Sequence, residues 1–449
     1  MDQLLTHTPP RHREIVRLAL VGATGVLIAY PVPDTGIPGL ALGFTVVWAL
    51  CLWLLSRDGL YRPSTAYVVL FGLFHGGLLI SSALRGPDAF TAYETDWLYQ
   101  GYTAEAVRLA VLGMVAFTLV SSSVGDRGAA GPAVSPVVTR PALTVVGLTV
   151  EAAGLGVFGM SVLGAGSPVV FSGGYTTYLQ AHESDGLLGY GTLLIGVGAI
   201  LAVVAGGRAR IVAWSGFAVY AVVAFGIGTR GAVLFPLLAL LAVEARRGRR
   251  VRPLWTLLGV PVVLTLIGLV RTSRLGDTSA PASSLWSAPL DAVAEMGYSL
   301  RPAVVVLDWH SFGEAFRYGA TLFAVPLRFV EGISGWHGGA PVHDTRLFNV
   351  EVLDRVGPIG GSPVAEGYHN FGIVGVLLLL GAIGLVIGLL ERRPRTPFGD
   401  ATLGVVLLPL LIQTRNSFAP VPVQIGLALV ILAVARLVSR WTADRGAPP

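Results

Sequence analysis

The chain has 449 residues, of which 53% are hydrophobic and 13% charged, with a formal net charge of +5. Soluble domains carry about 25% charged residues, so this composition excludes an ordinary soluble enzyme and reads as an integral membrane protein. A lone Cys51 rules out an intramolecular disulfide and a cysteine-rich metal site, and every one of the 31 basic residues is arginine, so only the position of an arginine carries information.

A bilayer core of about 30 Å asks for about 20 apolar residues per helix. In chain order, such segments are predicted near 15–30, 37–55, 64–84, 103–124, 142–164, 188–206, 211–228, 231–245 and 253–270. After a long interruption they resume near 371–391, 400–418 and 421–438. The expected fold is all-α, a polytopic membrane protein of about 12 transmembrane helices with one large extracytoplasmic loop containing short helices. The first run leads into a second span and has no small-residue cleavage site, so it is read as a retained helix. No repeat relates the two halves of the chain, which gives an inverted-repeat transporter no support.

Orientation follows from where the arginines fall. With both termini cytoplasmic, 20 of the 31 arginines lie in inner segments, among them "EARRGRRVR" and "ERRPR", against 11 elsewhere. The basic balance is then topological, and no nucleic-acid partner is expected. The domain reading is 1–270, a membrane domain of nine spans; 271–370, the extracytoplasmic loop; and 371–449, a membrane domain of three spans with a cytoplasmic tail. A loop of roughly 100 residues is too long for a connector and points to function. Its stretches "AVVVLDWHSF" and "GATLFAVPLRFV" suggest short helices lying on or dipping into the outer leaflet.

Five arginines stand on the side opposite the arginine excess: Arg230 in "GIGTRGAVLF", Arg271 and Arg274 in "LVRTSRLGD", Arg328 in "VPLRFVEG" and Arg415 in "QTRNSFAP". Each taken singly is open to a plainer reading, an interfacial side chain that snorkels. Taken together they run against the topological bias and suit a diphosphate whose lipid tail stays in the bilayer, because forked charged hydrogen bonds hold phosphate oxygens. No spacing of metal-binding residues occurs, so neither metal nor cofactor is expected, and His310, His337 and His343 read as single surface or packing residues.

The stretch "SPVAEGYHNFGIVGVLLLLGAIGLVIGLLERR" runs from polar residues straight into an apolar helix. With a helix start near Ala365, Glu366, His369 and Asn370 share one face at the outer end of the tenth span. That face offers a base and two hydrogen-bonding groups. A plain helix start is the alternative: an acid in the first turn, Tyr368 as an interfacial aromatic and Asn370 as a cap. Gly372, Gly375, Gly381, Gly384 and Gly388 below them read as close helix packing.

At "GTRGAVLFPLLALL", "YGATLFAVPLRF" and above all "GGSPVAEGYHNFGIVGV", the sequence resembles the O-antigen polysaccharide polymerases of the Wzy type, over roughly residues 220 to 420. The resemblance implies transfer of a growing glycan from undecaprenyl diphosphate to a sugar hydroxyl of a new lipid-linked repeat unit, outside the cytoplasmic membrane, without a nucleotide sugar or metal. It implies that Arg230, Arg271, Arg274, Arg328 and Arg415 hold diphosphate, that Glu366 and His369 orient or deprotonate the acceptor, and that Tyr368 and Asn370 contact glycan. The implied partners are undecaprenyl-diphosphate-linked oligosaccharides and membrane lipids, with flippase and chain-length regulator proteins as candidates. A glycan ligase of similar architecture is the nearer alternative. A lipid-linked oligosaccharide transporter fits less well, because the spans are nearly free of charge.

Overall fold

A computed structural model of the chain describes residues 10–29, 36–86, 89–90, 95–99, 101–124, 139–164, 187–227, 229–249, 286–333 and 344–446, with a few helical residues between 259 and 265. The helices are α1 (Pro10–Ala29), α2 (Gly36–Leu55), α3 (Pro63–Arg85), α4 (Thr103–Val124), α5 (Thr139–Gly164), α6 (Leu187–Ala205), α7 (Gly207–Ile227) and α8 (Arg230–Arg246). Four short helices follow, α9 (Ala288–Met296), α10 (Arg301–Ser311), α11 (Ala320–Ile333) and α12 (Phe348–Val356). The chain closes with α13 (Pro363–Arg392), α14 (Pro397–Gln413) and α15 (Val421–Gly446). Among the described residues there is no strand, as expected for an all-α fold.

Among the described residues, seven helices are long and apolar enough to cross a membrane: α2, α3, α4, α5, α7, α13 and α15. Two shorter apolar helices, within α6 and α14, accompany them. Their positions follow the predicted segments closely, while the predicted ninth span and both Arg271 and Arg274 fall largely or wholly outside the described residues. The helices pair tightly along two seams, α5 with α6 and α4 with α13. In the first seam the backbones touch. A Cβ on Gly154 would stand 2.6 Å from the Ile195 amide nitrogen, the close approach that small residues permit between membrane helices.

One end of the bundle is fixed by buried ion pairs. Arg246 and Arg247 reach Asp400 at 2.7 and 3.1 Å, and Arg62 pairs with Glu391 near the end of α13. The opposite end carries α9 to α12 and the start of α13, so the described part of the segment before α13 lies at the far mouth of the bundle.

α13 departs most from expectation. It begins at Pro363, well before the predicted span, with Ser362 as N-cap accepting from the Val364 and Ala365 amides. It is also broken: Phe371 and Gly372 are non-helical, and Gly372 has φ +62°. A straight helix would hold residues 367 and 375 about 12 Å apart. Here a Cβ on Gly375 would collide with the Gly367 carbonyl oxygen. The chain therefore folds a two-turn arm, residues 363–370, back against the span that follows. Of the predicted glycine stripe, Gly372 makes the break, Gly375 the fold-back, and Gly384 the contact with Phe117 of α4.

Candidate functional site on the folded-back arm

The break in α13 leaves the carbonyls of His369 and Asn370 without partners in their own helix. The turn between α10 and α11 supplies them: the Arg317 amide donates to His369 O at 3.0 Å and the Tyr318 amide to Asn370 O at 3.1 Å. To do so Tyr318 adopts φ +48°, the only positive φ at a non-glycine residue among those described. Backbone strain of that kind at a bulky residue is held only where the surroundings over-determine it.

Glu366 and Asn370, one turn apart, face inward together. The Asn370 side chain donates to Thr321 Oγ1 at 2.7 Å and to the Glu366 carbonyl at 2.8 Å, and accepts the Gly319 amide at 2.8 Å. The Thr321 hydroxyl donates to Glu366 Oε1 at 3.0 Å, and the Phe418 amide donates to Glu366 Oε2 at 2.6 Å. Both residues are fully buried. Their polar atoms tie α11 and the turn after α14 to the arm.

His369 looks elsewhere. Its Nε2 lies 3.1 Å from Glu351 Oε2 of α12 and 3.2 Å from Arg317 Nε, and its Nδ1 lies 3.1 Å from His310 Nε2 of α10. His310 Nδ1 donates to the Glu314 carbonyl at 2.8 Å, so His310 Nε2 is the acceptor and His369 Nδ1 carries a hydrogen. His369 Nε2 then presents a lone pair to Arg317. A proton arriving at that nitrogen would find Glu351 already in place to receive it.

The charges around this pair balance. Arg355 grips both Glu314 oxygens, at 3.0 and 2.8 Å, and lies 3.5 Å over the Trp309 ring. Arg317 pairs with Glu351 and reaches Glu314 at 3.2 Å. Burial pushes the Glu351 carboxyl up, but the neighbouring His369 and Arg317 outweigh this and hold it below the usual range. The Arg355 bond holds Glu314 low as well, while burial lowers His310. Glu314, Glu351 and His369 also offer three ligand atoms within 4.8 Å of one another. The two guanidiniums already engage those carboxylates, so the donor set a cation would need is committed.

Of the predicted diphosphate residues, Arg328 is paired with Asp344, which Arg346 also grips. Arg415 is exposed, with its guanidinium 5.9 Å over the Phe74 ring, and among the described residues it has no carboxylate partner. Phe74 in turn meets Phe235 of α8 at 5.7 Å, and α8 begins at Arg230, which brings the starts of α8 and the turn after α14 to the same mouth as the arm. Tyr368 is half-buried, edge-on to His310 and Phe316.

The reading of His310 as a single packing residue is corrected by its bond to His369, whereas His337 and His343 lie outside the described residues. Glu314, Arg317, Glu351 and Arg355 were not singled out. The signal present was "WHSFGEAFRYG", where a histidine, an acid and an arginine fall within eight residues.

The family described as O-antigen polysaccharide polymerase Wzy matches residues 158–443, a stretch that contains the arm and every residue of the His369 network. Protein CapE of Staphylococcus aureus is 27% identical over 206 residues, covering 44% of this chain and 44% of that protein. The chain thus matches less than half the length of that relative. No solved structure gives a match.

Proposed function

Because the chain belongs to the O-antigen polysaccharide polymerase Wzy family, we propose that it joins undecaprenyl-diphosphate-linked oligosaccharide repeat units on the outer face of the cytoplasmic membrane, through about 12 spans with both termini cytoplasmic. The single observation that carries the site assignment is His369 on the folded-back arm, its Nε2 3.1 Å from Glu351 and 3.2 Å from Arg317.

In this reading the acceptor sugar hydroxyl gives its proton to His369 Nε2 as its oxygen attacks the anomeric carbon of the donor glycan. The bond from that carbon to the diphosphate oxygen breaks, and undecaprenyl diphosphate leaves. Glu351 stabilises the imidazolium that forms, and His310 holds the ring's other nitrogen, so that the base is fixed in orientation and tautomer. Arg317, released from His369 as the ring becomes charged, joins Arg415 and Arg230 in holding the diphosphate, with Arg271 and Arg274 assigned to the same cradle. Arg328, held by Asp344, supports the segment beside it. Glu366 and Asn370 keep the arm folded, and Tyr368 lines the glycan path.

The test is addition of lipid-linked repeat units to the purified protein in detergent or vesicles. A ladder of polymer supports the proposal. A single product on a different acceptor points to a ligase, and unchanged lipid in the same assay overturns the enzymatic reading.

A further inference from the structure

His75 sits inside α3, fully buried, where an ionisable side chain is costly and usually has a task. Its ring stacks on Phe71 at 4.1 Å, and its Nδ1 lies 3.0 Å from the Phe71 carbonyl oxygen. A carbonyl has no proton to give, so Nδ1 carries the hydrogen and Nε2 is left as an acceptor. At 2.8 Å from that Nε2 stands Ser362 Oγ, the N-cap of the arm.

Ser362 Oγ accepts from the amides of Val364 and Ala365, at 3.2 and 3.5 Å. Among the described residues, the acceptor of its own proton is His75 Nε2. Ser362 is itself fully buried, so water has no access to replace that acceptor. The imidazole therefore fixes the direction of the cap, and the cap fixes the first turn of the arm that carries His369. Around the bundle from this contact, the neighbouring Phe74 supports the Arg415 guanidinium. Two consecutive residues of α3 thus brace two parts of the mouth.

We propose that His75 is a positioning residue for the transfer reaction: it touches no substrate, and it aims the arm by accepting the Ser362 hydroxyl. The proposal rests on the reading of the arm as the reacting element. It predicts a change in turnover with little change in substrate affinity, because misplacing a catalytic group by a fraction of an ångström lowers the rate without removing a binding contact.

The experiment compares His75→Leu, His75→Asn, His75→Gln and Ser362→Ala, with the His75→Leu/Ser362→Ala double variant, in the purified full chain. Two readouts are taken: kcat and KM for polymer formation from lipid-linked repeat units, and amide hydrogen exchange across residues 363–370. His75→Leu is expected to lower kcat roughly 10- to 100-fold with KM nearly constant, and to speed exchange at Val364 and Ala365. His75→Asn, polar but too short to reach Oγ, should behave the same way. His75→Gln places a carbonyl near the position of Nε2 and should restore both readouts. Adding His75→Leu to Ser362→Ala should cost nothing further, as for two residues that act through one contact. Wild-type kcat in His75→Leu or His75→Asn, additive losses in the double variant, or failure of His75→Gln to rescue each overturns the proposal. Should the chain form no polymer at all, the exchange data still decide whether His75 orders the arm, so the loss of the functional reading and the loss of this one are told apart.

Discussion

Glu351 and His369, eighteen residues apart and on different helices, meet at 3.1 Å between a carboxylate oxygen and a ring nitrogen. The contact exists because α13 breaks at Phe371–Gly372 and folds its first two turns back under α10 and α12. In an unbroken span His369 would stand on a helix rising out of the bundle. The fold-back is therefore what converts a motif into a site.

Glu366 has the most distinctive expected behaviour. Its oxygens receive a hydroxyl and a backbone amide, so Glu366→Gln turns an NH2 group towards one of those two donors. The variant should lose about 2–3 kcal/mol of stability, read as a lowered thermal midpoint, and Thr321→Val should lose stability at the same contact. Assayed well below that midpoint, kcat should stay within about tenfold of wild type. If Glu366 were instead the base, turnover at the same temperature would fall about 10²-fold or more.

Gly375→Ala puts a methyl group into the Gly367 carbonyl, and the arm can make room only by swinging away from the span. Polymer formation should be abolished, with membrane insertion intact and with Gly381→Ala, whose nearest neighbour is Val120 at 3.7 Å, close to wild type. Equal activity in both variants would contradict the fold-back.

Seven of the spans, and the apolar helices α6 and α14, were legible in the sequence, because about twenty apolar residues between polar flanks have few other solutions in a bilayer. So was the grouping of Glu366, His369 and Asn370 on one turn. Their division of labour was not. Periodicity says which residues share a helix face, but not that Thr321 and Phe418 arrive to occupy Glu366 and Asn370 while Glu351, His310 and Arg317 arrive at His369. Those partners come from five places: α10, the turn before α11, α11, α12 and the turn after α14. The break was hidden too, since a glycine in an apolar helix normally signals close packing, and Gly384 does serve that purpose.

Acid should destabilise the mouth through His310. Burial lowers its pKa from the ordinary 6.5, so the unfolded chain takes up a proton more readily than the folded one. Stability is then full above 6.5 and declines as pH falls below it. Glu314 and Glu351 stay ionised there, because both lie below the ordinary 4.5. Thermal midpoints between pH 7.5 and about pH 5 should therefore fall in wild type and fall less in His310→Gln, which keeps an acceptor and cannot titrate. Identical slopes would remove His310 from this role.

Orientation is open to a direct check. In a Cys51→Ser background, a cysteine at the exposed Phe312 should react with a membrane-impermeant maleimide in intact cells. One at the exposed Arg395 should react only after permeabilisation. The reverse pattern would place the arm in the cytoplasm and withdraw an outer-face reaction.

The central claim is that His369 takes the acceptor's proton. Its most direct measurement is polymer formation by His369→Ala beside wild type, with binding of the lipid-linked repeat unit followed on the same preparations. The account predicts retained binding and a rate lower by ~10²–10⁴-fold, with Glu351→Gln falling between the two. A ladder formed by His369→Ala at the wild-type rate would contradict it.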